Sequence, residues 1–334
     1  MKLFQAYNIL YKKFLYIARI NHSGNFVMYD IIGDIHGHAD QLKSLLKKLG
    51  YIKPDGYFAH PTRKAIFVGD FINRGPKIRE TINIVRTMVE KGSAYAILGN
   101  HEMYAILYYL RDTEGKYYKK RIPKYQLQIN QTLVEFASYK DEFKSHLKWM
   151  RTLPMFLDFG EIRIIHACWD DENIQLIKSN VTGPKLTKTL LREIALNETK
   201  FSASFWETCK GVEFQIPKDL LVFDNDGRPH RTFRMKWWDT PEGKTFKDVS
   251  LESRFELPAY TIPNEIIPTR KHYPKDDPIV FFGHYCLKEC CGIFADNLCC
   301  VDSCVTRTGK LIAYRWEGEK QLKKSNFVLS DVLV

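Results

Sequence analysis

The stretch Val27–Gly50, "VMYDIIGDIHGHADQLKSLLKKLG", decides the fold. A mostly apolar run breaks at Gly33, a polar turn follows, and apolar residues return at Leu42, Leu45, Leu46 and Leu49. That i, i+3, i+4, i+7 spacing predicts an amphipathic helix after a strand, with Gly50 as its stop. The plan recurs in "AIFVGDFINRGPKIRETINIVRTMVEKG", Ala65–Gly92, where a short strand ends at Gly69 and Ile78, Ile82, Val85 and Val89 share a helix face. It recurs again in "AYAILGNHEMYAILYYL", Ala94–Leu110, turning at Gly99. Three consecutive strand, loop, helix units predict a largely parallel sheet covered by helices, its loops gathered at the carboxyl ends of the strands.

Those loops carry metal-type ligands at one structural position: Asp34 and His36, then Asp70 with Arg74, then Asn100 and His101. Two later apolar runs end the same way, "IRIIHACWD" at His166 and "PIVFFGHY" at His284. A single such histidine is more often structural than a ligand. Five strand ends delivering ligands to one edge reverse that expectation. Two carboxylates, an amide oxygen and three imidazoles form a mixed O/N donor set that suits Mn, Fe or Zn better than Mg or Ca. The number of ligands suits two ions sharing a carboxylate.

Composition narrows the setting. The 334 residues are 45% hydrophobic, enough for one large domain with a full core, which argues against disorder. No apolar run reaches the roughly 18 residues needed to span a bilayer, and Asn8, Lys12, Lys13 and Arg19 interrupt the opening stretch, so neither a spanning segment nor a secretory leader is expected. Residues 1–27 read as an N-terminal arm ahead of a domain over 28–334, with Met28 as an alternative start. A net charge of +11 suits an anionic partner, a phosphorylated substrate or nucleic acid. Six of the eight cysteines lie in "CLKECCGIFADNLCCVDSC", Cys286–Cys304. Reduced thiols in a cytoplasmic protein are the expectation, preferred over a structural zinc because the C-x2-C spacing is absent.

In the order "GDIHG", "GDFINRG", "GNHE", "HA", "GH", the chain resembles the calcineurin-like metallophosphoesterases, and within them the branch of phosphoprotein phosphatases and symmetrical diadenosine tetraphosphatases. The resemblance runs from about Asp30 to Trp316. It implies a four-layer α/β/β/α sandwich of two mixed sheets, with "TGKLIAYRWEG" as a late hairpin strand of the second sheet. It further implies Asp34 and His36 as ligands of a first metal, Asp70 as the bridging carboxylate, and Asn100, His166 and His284 as ligands of a second. Manganese is the favoured ion. His101 matches the general acid and Arg74 the phosphate-gripping arginine. The implied reaction is in-line attack on phosphorus by a metal-bridging hydroxide, with His101 protonating the departing oxygen.

One position departs from the family pattern: Asn73 stands where an aspartate usually orients the acid. Its amide oxygen is expected to accept from His101 without supplying charge. Residues from about 170 to 277 read as a cap-like insertion. Within it "RTFRMKWWDT" offers Arg234 as a second phosphate contact and Trp237 and Trp238 as either core or stacking residues; "KYYKKRIPK", Lys116–Lys124, is a basic stretch read first as a solvated face and second as a nucleotide contact. The function expected is a dinuclear phosphomonoesterase of the serine/threonine protein phosphatase type. The alternatives are a diadenosine tetraphosphatase or nucleotide and polynucleotide-end phosphatase and, in another class, a phosphate-binding pseudoenzyme.

Overall fold

A computed structural model describes residues 28–118, 123–218, 220–224, 227–251, 255–267, 272–287 and 292–331. The expected arm over 1–27, residues 119–122 of the basic stretch, and Cys290 and Cys291 lie outside them.

Strands β1 (Met28–Ile32), β2 (Arg63–Phe67) and β3 (Ala94–Ala96) run parallel in that order, as the repeated strand and helix units require. Between them α1 (Ala39–Lys48) and α2 (Ile78–Glu90) cover the outer face, followed by α3 (Asn100–Tyr109), α4 (Pro123–Glu135) and α5 (Lys140–Met150). The chain then builds a second sheet from β4 (Phe156–Asp158) and β5 (Ile162–Ile165). Residues 166–278 leave that sheet before the chain returns in the strand Ile279–Phe282, hydrogen-bonded parallel to β5.

The excursion holds three helices, α6 (Asp171–Asn180), α7 (Lys188–Leu196) and α8 (Lys200–Lys210), then β6 (Val212–Gln215), β7 (Val222–Phe223), β8 (Pro229–His230) and β9 (Thr232–Met235). Two small ribbons result, β6 with β9 and β7 with β8, and the short α9 (Phe246–Val249) follows. The returning strand is β10; β11 (Gly292–Ala295), β12 (Leu298–Cys300), α10 (Val305–Thr308), β13 (Ile312–Trp316) and β14 (Phe327–Leu329) complete the order.

The sheets read β14-β13-β1-β2-β3 and β11-β12-β10-β5-β4. Side chains that alternate along each strand feed two cores, because successive residues point to opposite faces. Tyr29 and Ile31 of β1, Ile162 and Ile164 of β5, Ile279 and Phe281 of β10, and Ile312 and Tyr314 of β13 pack between the sheets. Ile32 and Ala313 of the first sheet and Ile165 and Val280 of the second face the other way, into the buried apolar cluster that includes Leu42, Leu45, Ile82 and Val85 of the helices. The expected four-layer α/β/β/α sandwich is thus present. One expectation is corrected: β13, the core of "TGKLIAYRWEG", belongs to the first sheet, antiparallel to β1, because Ile312, Tyr314 and Trp316 are needed opposite the second sheet.

Cysteine pairing is also corrected. Cys286 and Cys304 are joined by a disulfide, which removes two of the thiols expected there. Both follow neighbouring parallel strands, and both backbone N–H groups donate to Asp302, at 2.6 and 2.8 Å, which holds the two loops together. Cys299 and Cys300 are buried thiols in β12, as expected.

A buried ion pair stitches the first sheet. Arg63 of β2 donates through Nε to both Asp30 oxygens at 3.0 Å and through Nη2 to the carbonyls of Tyr29 and Trp316. It therefore ties β2 to β1 and β13, and the side chains of Arg63 and Asp30 are 4% and 0% exposed. Asp30→Ala strands this guanidinium away from water, so it should destabilise the fold by about 3–5 kcal/mol. Urea unfolding of the variant beside wild type measures this; a midpoint shift equivalent to less than about 1 kcal/mol, the size of an exposed pair, would show the pair to be incidental.

Candidate metal centre and active site

Strands β1, β2 and β3 of one sheet and β5 and β10 of the other end at a common edge. The six expected ligands, Asp34, His36, Asp70, Asn100, His166 and His284, converge there with His101 and Asn73, and only His284 among these eight is less than fully buried. Asp70 is central. Its Oδ2 lies 3.7 Å from His36 Nε2 and 3.9 Å from His101 Nε2, and its Oδ1 lies 3.5 Å from His166 Nε2. Two clusters with ligand-like spacing therefore share this carboxylate: His36, Asp70, His101 and Asp70, His166, His284.

Getting these groups together requires unusual backbone. His36, Asp70, Asn73, Arg74 and His284 all have left-handed φ, between 45 and 73°. Each such residue costs on the order of 1 kcal/mol or more, which persists only where the surroundings over-determine it. Glu102, the last letter of "GNHE", supplies much of that determination. Fully buried, it accepts from the N–H groups of Asp70 at 2.8 Å, Phe71 at 2.8 Å and Gly99 at 3.1 Å, and so binds the second and third loops into one unit. Gly99 itself must be glycine, since a Cβ there would sit 2.3 Å from Asp70 Oδ1.

The imidazoles are aimed from behind. Nδ1 of His36 donates to the Ile72 carbonyl at 3.0 Å and Nδ1 of His166 to that of Val68 at 2.7 Å, which fixes each ring with Nε2 facing the centre. Asn100 Oδ1 lies 3.0 Å from His166 Nε2 and 2.9 Å from His284 Nδ1. Asp34 takes the His284 N–H on Oδ2 at 3.0 Å, while its Oδ1 is buried with no hydrogen-bond partner among the described residues. An orphaned buried carboxylate oxygen among convergent imidazoles is the donor set that a divalent cation satisfies, so the residues fit the expected metals.

Charge distribution fits as well. Burial, then the Arg74 charge, holds His36 well below the usual imidazole range, and burial with Arg234 does the same for His284, so both are neutral donors. Burial and the neighbouring Asp302 raise Asp34. Burial alone would raise Asp70, but His166 and His101 outweigh it and keep Asp70 ionised. Burial would lower His166, yet Asp70 lifts it to about 10: in effect a proton sits between Asp70 and His166.

His101 begins α3, and its ring is set differently from expectation. The Asn73 amide oxygen faces the Thr132 hydroxyl of α4 and accepts from it at 2.5 Å, which turns the amide nitrogen, not the oxygen, toward His101. Asn73 Nδ2 donates to His101 Nδ1 at 2.7 Å, which puts the imidazole's own proton on Nε2. Burial, foremost, lowers His101 to about 4, consistent with that neutral form. Arg74, exposed, brings Nη2 to 3.2 Å from the same Nε2. Half-buried Arg234, on β9, donates from Nη1 to the His284 carbonyl at 3.3 Å and so stands at the rim. The tryptophan pair does not join it: Trp237 is 1% exposed, and its ring lies 5.4 Å from Phe282, as does that of Trp238, so both belong to core packing.

Sequence reasoning missed Glu102 and Thr132. Glu102 was visible as an acid inside a motif but without a ligand's position; Thr132, on a helix far along the chain, carried no signal at all.

Fold and site together define a phosphoesterase of the two-metal kind. The chain belongs to the calcineurin-like phosphoesterase family, whose model matches residues 29–200. Among curated relatives it is 35% identical over 149 residues to the bis(5'-nucleosyl)-tetraphosphatase PrpE (asymmetrical) of Bacillus subtilis (strain 168), a match covering 42% of this chain and 57% of the relative. It is 46% identical over 76 residues to the protein of the same name from Halalkalibacterium halodurans, covering 22% of this chain and 31% of the relative. The chain thus spans about half or less of the length of these relatives. Among solved structures, a cold-active protein-tyrosine phosphatase of a psychrophilic Shewanella is 14% identical with a TM-score of 0.48, covering 91% of this chain and 80% of that one.

If Glu102 is the brace described, Glu102→Gln turns an amide N–H toward backbone N–H donors and should cost roughly 1–3 kcal/mol of stability. Thermal unfolding checks this, and hydrogen exchange at Asp70, Phe71 and Gly99 should quicken. Unchanged exchange at those three amides would show that another group holds the loops.

Proposed function

We propose that this protein is a two-metal phosphohydrolase acting on a nucleoside polyphosphate, carried by one observation: a single buried carboxylate, Asp70, shared by two ligand clusters that open onto Arg74. Asp34, His36 and Asp70 would hold one divalent ion, and Asp70, Asn100, His166 and His284 the other, with mixed O/N donors that suit manganese, iron or zinc, manganese being the ion we propose first. Bound there, the ions would supply Lewis-acid polarisation of the phosphoryl group and an activated water.

The chain's own groups do the rest. Arg74 grips phosphoryl oxygens with its planar fork, and Arg234 adds a second cation at the rim. His101 Nε2–H and Arg74 Nη2 are two donors 3.2 Å apart. Donors that close repel each other unless an oxygen anion lies between them, which is the position of a phosphoryl or leaving oxygen. Neutral His101 hydrogen-bonds the departing oxygen through Nε2–H, and full proton transfer draws on its imidazolium form, which returns to this neutral tautomer; Asn73, itself held by Thr132, sets Nε2 as the donating nitrogen.

The names of the curated relatives support a nucleotide substrate, and dephosphorylation of a phosphoserine or phosphothreonine protein, ranked first on sequence alone, becomes the second reading. Retention of every inferred ligand together with Arg74 and His101 argues against a pseudoenzyme.

Asp70→Asn tests the shared carboxylate. The purified variant should retain substantially less than two equivalents of Mn²⁺ and lose at least about 100-fold in turnover of p-nitrophenyl phosphate and diadenosine tetraphosphate, the scale of a missing charge-stabilising group. Two retained ions and near-normal turnover would refute the bridging assignment. Asn73 is tested by leaving group. Asn73→Asp adds a charge that stabilises the proton-donating imidazole, so kcat for an alkyl phosphate should rise roughly 10-fold, within the span of general acid catalysis, and that for an aryl phosphate much less. Equal effects on both would show that Asn73 does not act through His101.

A further inference from the structure

We infer that Tyr104 and Trp206, with Lys210, form a nucleobase platform beside the phosphoryl site; this deepens the nucleotide reading above and rests on it. Tyr104 lies one turn beyond His101 on α3, and the two ring centroids are 5.7 Å apart. Trp206 comes from α8, in the excursion between β5 and β10, and its ring centroid is 5.8 Å from that of Tyr104, the planes inclined by 31°. The Lys210 ammonium stands over both rings, 4.1 Å from the centre of Trp206 and 5.3 Å from that of Tyr104. All three residues are half-buried.

The helix that brings them is fixed relative to the site. Thr208 of α8 accepts, through its carbonyl, the N–H groups of Ala167 and Cys168, the two residues after His166. Trp206 is anchored too, its Nε1 donating to the Ile194 carbonyl at 3.0 Å and its ring meeting Phe205 edge-on. Trp206 is therefore a rigid aromatic whose indole N–H is already satisfied, and a base that stacks on its ring does so where the flexible Lys210 side chain swings aside. A phosphoryl group gripped by Arg74 and His101 places the sugar and base of the same nucleotide within reach of rings that begin less than 6 Å from His101. Base–aromatic stacking tolerates any base, because every base has a π-face. The Lys210 cation adds attraction to the ring faces and to the negative chain between nucleosides. A phosphoserine side chain has no group to place on this platform, so the pair discriminates the two substrate readings by chemistry. Tyr104 and Trp206 are specificity residues here, not catalytic ones.

The test is calorimetric binding, with Mn²⁺ present, of two probes that differ only in the base: AMP and ribose 5-phosphate. Wild type should bind AMP about 5- to 100-fold more tightly, the worth of one stacked base. Trp206→Ala should narrow that gap to within about 2-fold, and Trp206→Phe, which keeps a stacking face, should restore most of it. Equal binding of the two probes by wild type overturns the platform, even if diadenosine tetraphosphate is hydrolysed. A preference for AMP that survives Trp206→Ala overturns it as well. A Trp206-dependent preference for AMP with no turnover of diadenosine tetraphosphate would instead leave the platform standing and remove that substrate.

Discussion

Everything at the strand edge depends on one buried acid that touches no substrate. Glu102 gathers backbone N–H groups from the Asp70 loop and from Gly99, the turn that launches α3. Without that acceptor, several amides would be buried unpaired at the point where the chain adopts left-handed φ at Asp70, Asn73 and Arg74. Asp70 can therefore project its carboxylate between four imidazoles only because a second carboxylate, immediately behind, satisfies the backbone that carries it. The arrangement also sets two negative charges close together: burial, then Asp70, raises Glu102 to about 7. A divalent cation held by Asp70 would relieve that repulsion.

Much of the fold was legible because hydrophobic spacing is a local property. The three strand and helix units were visible in the alternation of glycine stops with apolar faces at Leu42, Leu45, Ile78 and Ile82, and the convergence of the candidate ligands followed from where those strands stop. The placement of β13 was not legible, because which sheet a late strand joins is decided by partners distant in sequence: Tyr29 opposite Trp316, Ile31 opposite Tyr314. The Cys286–Cys304 pairing depends likewise on Asp302 drawing two loops together, a relation that spacing does not encode.

At the site, residue types were legible and their hydrogen-bond polarity was not. Asn73 was identifiable as the odd residue in its loop, but which end of its amide faces His101 is settled by Thr132, fifty-nine residues on, whose hydroxyl occupies the oxygen. A similar displacement affects the aromatics. The adjacent Trp237 and Trp238 drew notice as neighbours in sequence, yet Phe282 and Phe294 absorb them. The pair beside His101, Tyr104 and Trp206, comes from two helices with nothing in the sequence to connect them.

β5 and β10 lie side by side, yet residues 166–278 intervene between them. The excursion leaves at the carboxyl end of β5 and re-enters at the amino end of β10, so it also makes the crossover that parallel neighbours require. Loop-closure entropy grows only logarithmically with length, so such a segment can be lengthened, shortened or exchanged at small cost to the sheet. The strand ends carry the candidate metal ligands, while the intervening segment brings Trp206, Lys210 and Arg234 to their side without being part of the sheet.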